Sequence, residues 1–366
     1  MPDNFYFYKG RVALYAILKA LGIQAGDEVI LSGFTCVVVP NAINYLGAKP
    51  VYVDIHPETY NIDPSKITDK ITGRTRAIIA QHTFGIPAMM EEIGDIAGKY
   101  GLHVIEDSCH SIGSKYRGRE IGTFGDAAFF SSQWSKPVTT GFGGWIRANN
   151  RELKVKLDKI YPSFSAPPLK YDYVLRLQYL LFSRLLTPSL FWFAQDIYRM
   201  LSKYGMALGS STNDELQCKM PANYEMRMTK WQKLTIEDKL AGISDVIDHR
   251  KAVVSQYEKL LPQAGVPPLS LPGDQEIVFL RYPVRVKNKR RVLALAKKER
   301  VEMGDWFLSP VHPILSGWEK VSYEQGMCPN AEGACDQVIN LPTHQGINDR
   351  EIDKTMDFIS RSGELL

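Results

Sequence analysis

The chain has 366 residues, 45% of them hydrophobic and 23% charged, with a formal net charge of +4. That length supplies a core and room for two domains, and a charge so small gives no electrostatic case for a nucleic-acid partner. Five cysteines, Cys36, Cys109, Cys218, Cys328 and Cys335, are odd in number and lack metal-ligand spacing, so they read as free thiols of a reducing compartment with no metal site. The N-terminus has neither a basic stretch leading into an apolar core nor a small-residue cleavage site, which points to the cytoplasm.

In chain order, Gly10-Arg11-Val12 opens a helix directly after a glycine. Short β-branched runs at 28–31, 50–54, 76–81, 103–107, 127–131 and 144–147 alternate with helical patterns. Such alternation predicts an α/β fold with a mostly parallel central sheet covered by helices, its ligands held beyond the carboxyl ends of the strands. A long helical pattern covers 229–261, a strand follows at 279–286, a helix at 290–300 and a last helix near 349–359. The predicted organisation is a large domain over 1–240, carrying an apolar helical insertion at about 160–215, and a smaller α+β domain over 241–366.

Asp107 ends the run at 103–107, and Lys136 closes Phe-Phe-Ser-Ser-Gln-Trp-Ser-Lys, 29 residues later. A strand-end aspartate with a loop lysine suits pyridoxal phosphate. That cofactor needs a carboxylate to keep its ring nitrogen protonated and a lysine amine to bond its aldehyde. The lysine must also shed its proton to act as nucleophile and base, and burial beside a cationic ring drives its pKa the required way. The plain alternative is an aspartate closing a strand and a surface lysine. Unpaired N–H groups at Gly10, Arg11 and Val12 could hold the phosphate, and Ser131 could add a hydroxyl, although ordinary capping and a strand-ending serine explain those residues as well. Gly143 and Gly144 let the backbone pass close to a bound ring or fold tightly into the next strand.

Residues 171–204 are strongly apolar, with Arg176, Ser183, Arg184 and Thr187 on one narrow helical face. Arg184 and Pro188 interrupt the run too soon for a membrane span. One reading is a helical hairpin packed on a dimer or over the active site. The other is a peripheral contact at the inner face of a membrane, assisted by Arg285, Lys287, Lys289, Arg290, Arg291, Lys297 and Lys298.

Blocks spread over the whole chain occur in a recognisable order: Gly26-Asp27-Glu28-Val29-Ile30, Phe34-Thr35, Gln81-His82-Thr83-Phe84-Gly85, Ile105-Glu106-Asp107, Gly122-Thr123-Phe124-Gly125-Asp126-Ala127, Ser131 with Lys136, Arg227-Met228-Thr229 and Asn340-Leu341-Pro342-Thr343-His344. They resemble the DegT/DnrJ/EryC1/StrS aminotransferases. The resemblance implies a fold-type I, pyridoxal-phosphate-dependent homodimer with active sites shared between subunits. It also implies transfer of an amino group, with glutamate the expected donor, to a nucleotide-linked keto sugar in polysaccharide or secondary-metabolite biosynthesis.

By the same resemblance Lys136, Asp107 and Ser131 bind the cofactor and His110 contacts the ring oxygen. Thr83 and Gln133 face the substrate, and Arg227 approaches from the neighbouring subunit. Lysine at 136 implies transamination, since relatives with histidine there are dehydratases. Cys36 stands where many relatives carry a ring-stacking aromatic, so ring contact is expected from Cys36 itself or from Phe34 or Phe84. Arg11 replaces a threonine, leaving the phosphate to backbone amides and the guanidinium. His312 and His344 are further pocket candidates. Two alternatives remain: an aminotransferase or lyase acting on a lipid-linked or membrane-associated ketone, and a non-catalytic regulator that binds the same cofactor.

Overall fold

The computed structural model describes residues 4–185 and 211–364. Seven strands form the main sheet: β1 (Asn4–Phe7), β2 (Glu28–Ser32), β3 (Lys49–Val53), β4 (Thr75–Gln81), β5 (His103–Asp107), β6 (Ala127–Ser131) and β7 (Gly144–Ala148). Their order across the sheet is β1-β7-β6-β5-β4-β2-β3. The five strands from β6 to β3 run parallel, while β7 is antiparallel to β6 and β1 antiparallel to β7.

Alternate residues of the parallel strands feed two apolar layers, as the two-residue period of a strand requires. Val29, Leu31, Ala77, Ile79, Ile105 and Phe129 pack with the helix α1 (Gly10–Leu21) on one face. Ile30, Ile78, Ala80 and Val104 pack with Met90, Ile93 and Ala97 of the helix Met90–Tyr100 on the other. A sheet covered on both sides buries its strands completely, and each large side chain so buried contributes roughly 1.5–3 kcal/mol. The α/β, fold-type I expectation holds.

At the carboxyl edge, Asp107 is in register with Phe129, and Ser131 pairs with Gly144. There α1 starts hard against the sheet. A Cβ on Gly144 would lie 2.3 Å from the Gly10 Cα and 2.7 Å from the Phe130 carbonyl oxygen, so only glycine lets the helix begin so close to β6.

Beneath that edge Glu106 is fully buried. Its two oxygens accept N–H groups from Gly122 (2.7 Å), Phe124 (2.6 Å) and Gly125 (2.8 Å), and one lies 3.3 Å from His82 Nε2. The Gly-Thr-Phe-Gly block is therefore a loop wrapped around a buried carboxylate. Burial pushes this carboxyl up, but His82 and the loop N–H groups outweigh it and leave it below its ordinary range.

In the C-terminal part, Arg281–Arg285 and Val338–Pro342 form an antiparallel pair. Val311–His312 pairs in parallel with Thr35–Cys36, which joins this part to the carboxyl edge of the main sheet. The helical pattern at 229–261 is two helices, Lys230–Ala241 and Ile243–Leu260, parted at Gly242. The helix Leu169–Leu185 opens the apolar insertion, and the remainder of 171–204, with Thr187 and Pro188, falls outside the described residues. Among the described residues no helix is long and apolar enough to cross a membrane.

Candidate active site

The chain leaving β6 doubles back on itself. The Lys136 N–H donates to the Gln133 carbonyl (2.9 Å), Ser132 N–H to the Gly143 carbonyl (3.0 Å) and Thr140 N–H to the Ser132 carbonyl (3.0 Å). These bonds hold Lys136 above the carboxyl ends of β5 and β6. It faces a partly open cavity of about 180 Å³.

Ten of the residues singled out from the sequence line that cavity: Gly10, Arg11, Cys36, Asp107, His110, Ser131, Gln133, Lys136, Gly143 and His312. Asp107 and Lys136 are 7% and 9% exposed. Burial raises the Asp107 carboxyl, opposed by the Cys109 N–H it accepts at 3.1 Å and by the Lys136 charge. Burial likewise lowers the Lys136 ammonium, opposed by Cys109, Asp107 and Cys36. Lys136 forms no ion pair with a carboxylate among the described residues, and its Nζ sits 5.0 Å from the centroid of the Trp306 ring. Burial thus shifts the amine toward its neutral form, the form in which lysine is a nucleophile. Burial also holds the His110 imidazole well below its ordinary range, and that of His312 down to about 4.

At the other end of the cavity stands the N-terminus of α1. No side chain caps it, and its first turn holds no acidic residue. Lys9 and Arg11 flank it and share one buried carboxylate, Glu215, at 3.6 and 2.5 Å. Two cationic side chains beside a helix N-terminus are an arrangement suited to an anionic group. Burial, helped by Arg11 and opposed by Glu215, brings the Lys9 ammonium down to about 8.

Other expected residues lie elsewhere. Val12 belongs to the apolar core and its N–H donates to the Lys9 carbonyl, so the N–H groups facing the cavity are those nearer the helix start. Thr83 is fully buried, with Gln81 Nε2 donating to its hydroxyl and its N–H donating to Asn61. Arg227 lines a separate pocket with Tyr6 and Tyr161. Phe34 and Phe84 are fully buried beside Tyr60 and Phe307, so neither offers a ring to the cavity. His344 does not line it and instead meets Glu302 at 3.0 Å. The aromatic wall is Trp306, stacked on His110 at 5.2 Å and 16°. Trp306, Lys9 and Glu215 carry no sequence signal of their own, because long-range packing alone brings them to the site.

The model of the DegT/DnrJ/EryC1/StrS aminotransferase family matches residues 7–171 and 193–360. The chain belongs to that family. A UDP-2-acetamido-2-deoxy-3-oxo-D-glucuronate aminotransferase of Pseudomonas aeruginosa is 30% identical to this aminotransferase over 336 residues, spanning 92% of this chain and 79% of the relative. A pleiotropic regulatory protein of Geobacillus stearothermophilus is 28% identical over 360 residues, spanning 95% and 83%. Among solved structures, DesV of S. venezuelae superposes with a TM-score of 0.74 at 25% identity, covering 98% of this chain and 84% of that one. This aminotransferase uses pyridoxal phosphate. The cavity's chemistry fits that cofactor: a buried carboxylate, a buried amine with no carboxylate partner, an aromatic wall and a cation-flanked helix N-terminus.

Proposed function

We propose that this aminotransferase moves an amino group from an amino acid, glutamate foremost, to the ketone of a nucleotide-linked sugar, with Lys136 and Asp107 as its catalytic residues. The observation that carries the reading is the burial of both side chains in one cavity at the carboxyl edge of the sheet. Bound pyridoxal phosphate supplies the electron sink that makes a substrate C–H bond acidic.

The protein's own residues do the rest. Lys136 Nζ would hold the cofactor through its aldehyde and, as a buried amine facing it, would serve as the base that moves the substrate proton. Asp107 holds the proton on the ring nitrogen. The start of α1, the Ser131 hydroxyl and the Lys9 and Arg11 side chains hold the phosphate. His110 and Trp306 wall the ring, and Gln133 faces the substrate.

The working unit is a cytoplasmic homodimer with shared sites, a reading that Arg227 supports by lying outside its own chain's cavity. Leu169, Tyr173 and Leu177 form an exposed apolar row on the helix Leu169–Leu185 and support a peripheral contact with a membrane, where a lipid-linked ketone would be met. The loaded enzyme should convert glutamate and a nucleotide-linked keto sugar to 2-oxoglutarate and an amino sugar in equal amounts, read by mass spectrometry. Amination of lipid-linked ketones with every nucleotide sugar refused would overturn the choice of acceptor.

A further inference from the structure

We propose that Arg281 binds a carboxylate of the amino-acid donor, an assignment that rests on the aminotransferase reading above. Arg281 opens the strand Arg281–Arg285 and is half-buried. Its guanidinium, which carries five N–H donors, makes no hydrogen bond or ion pair among the described residues. The nearby carboxylate that could take it, Glu302, is committed through both oxygens to His344 Nε2, at 3.1 and 3.0 Å. The guanidinium lies over the Trp306 ring, 5.0 Å from its centroid. Donors withdrawn from water without an acceptor are costly, so such a guanidinium calls for an anion that arrives later.

The position is fixed and close to the chemistry. Trp306 N–H donates to Asn340 Oδ1 at 2.9 Å, and Gly304 exchanges two backbone hydrogen bonds with Asn340 at 2.8 and 3.0 Å. A Cβ on Gly304 would lie 2.6 Å from Arg281 Nη1, so glycine there leaves room for the guanidinium. Lys136 Nζ and the Arg281 guanidinium each stand 5.0 Å from the same ring centroid, which places the two cations no more than about 10 Å apart. An amino acid attached through its nitrogen where Lys136 now reaches has carboxylates roughly 3 to 6 Å away by bond lengths, and a bidentate guanidinium adds about 4 Å. The side-chain carboxylate of glutamate spans that whole interval, and the α-carboxylate spans about 7 Å of it. Lys9 and Arg11, which line the cavity as Arg281 does not, both meet Glu215.

The test uses full-length protein loaded with pyridoxal phosphate and titrated with glutarate, a dicarboxylate that has no amino group, followed by the change in cofactor absorption. Arg281→Gln should raise the glutarate Kd at least tenfold while cofactor loading is unchanged, and Arg281→Lys should fall between the two. The donor half-reaction then separates the carboxylates. Slowing with glutamate and glutamine alike assigns the α-carboxylate, and slowing with glutamate alone assigns the side-chain carboxylate. A glutarate Kd unchanged in a loaded Arg281→Gln protein, or a loss confined to the acceptor half-reaction, overturns the proposal. A wild-type protein that takes up no cofactor overturns the aminotransferase reading itself, and this assignment with it.

Discussion

Glu106→Gln keeps the size of a buried side chain and removes its charge, and the structure says what that costs. The carboxylate accepts three loop N–H groups, from Gly122, Phe124 and Gly125, and faces His82 Nε2. His82 Nδ1 already accepts the Ala88 N–H, so the ring proton sits on Nε2, toward Glu106. An amide has one accepting oxygen. If that oxygen keeps the Phe124 and Gly125 bonds, its NH2 group is turned against the Gly122 N–H, and His82 Nε2, 3.3 Å away with no hydrogen bond of its own, loses the charge it faces. Weakening two charge-assisted bonds and stranding a buried donor, offset by the cheaper burial of a neutral group, comes to about 3 kcal/mol.

The pH dependence has a definite sign. Glu106 is held below its ordinary value of 4.5, so its contribution is fully present above that value and is lost as the pH falls through the folded one. Urea unfolding should therefore show a gap of about 3 kcal/mol between wild type and Glu106→Gln at neutral pH. The gap should narrow progressively below the ordinary carboxyl range. A gap under about 0.5 kcal/mol, or one that stays constant into acid, would refute the account of this carboxylate as the anchor of the 122–125 loop.

Gly144→Ala drives a Cβ into the start of α1 and should cost about 1–3 kcal/mol of stability, with weaker loading of pyridoxal phosphate than of pyridoxal relative to wild type, measured by absorption titration. Because Lys136 is held below its ordinary 10.5, its neutral amine appears at lower pH than that of free lysine. The rate at which cofactor-free protein captures pyridoxal phosphate should rise with pH around a midpoint below that value, and a midpoint at or above it would contradict the burial argument. Asp107→Asn retains the shape but not the charge beside the ring nitrogen. It should load cofactor and lose about 100-fold or more in kcat, whereas a variant within a few-fold of wild type would remove Asp107 from its role.

Much of this was legible in the sequence because β-branched runs between helical patterns carry their own period. The strands at 103–107 and 127–131 fall where the runs do, and with them Asp107 and Ser131. β1 was not legible, since four residues at the head of the chain show too little alternation and gain their strand character from pairing with β7. Val338–Pro342 shows no alternation to mark it, yet it is a strand whose partner, Arg281–Arg285, lies more than 50 residues away. Gly242 divides a periodic stretch into two helices, a break that apolar spacing alone does not mark. Phe34 and Phe84 illustrate the limit at the site. Aromatic residues near the motif are natural candidates for ring contact, but the core takes them both, and the wall is Trp306, 170 residues from Lys136 in sequence.

The most direct test of the central claim is the absorption spectrum of the purified protein with pyridoxal phosphate, before and after glutamate, alongside Lys136→Ala. The account predicts a visible band from lysine-bound cofactor that bleaches when glutamate is added and never forms in the variant. The same band in Lys136→Ala, or a wild-type band that no amino donor alters, would contradict it.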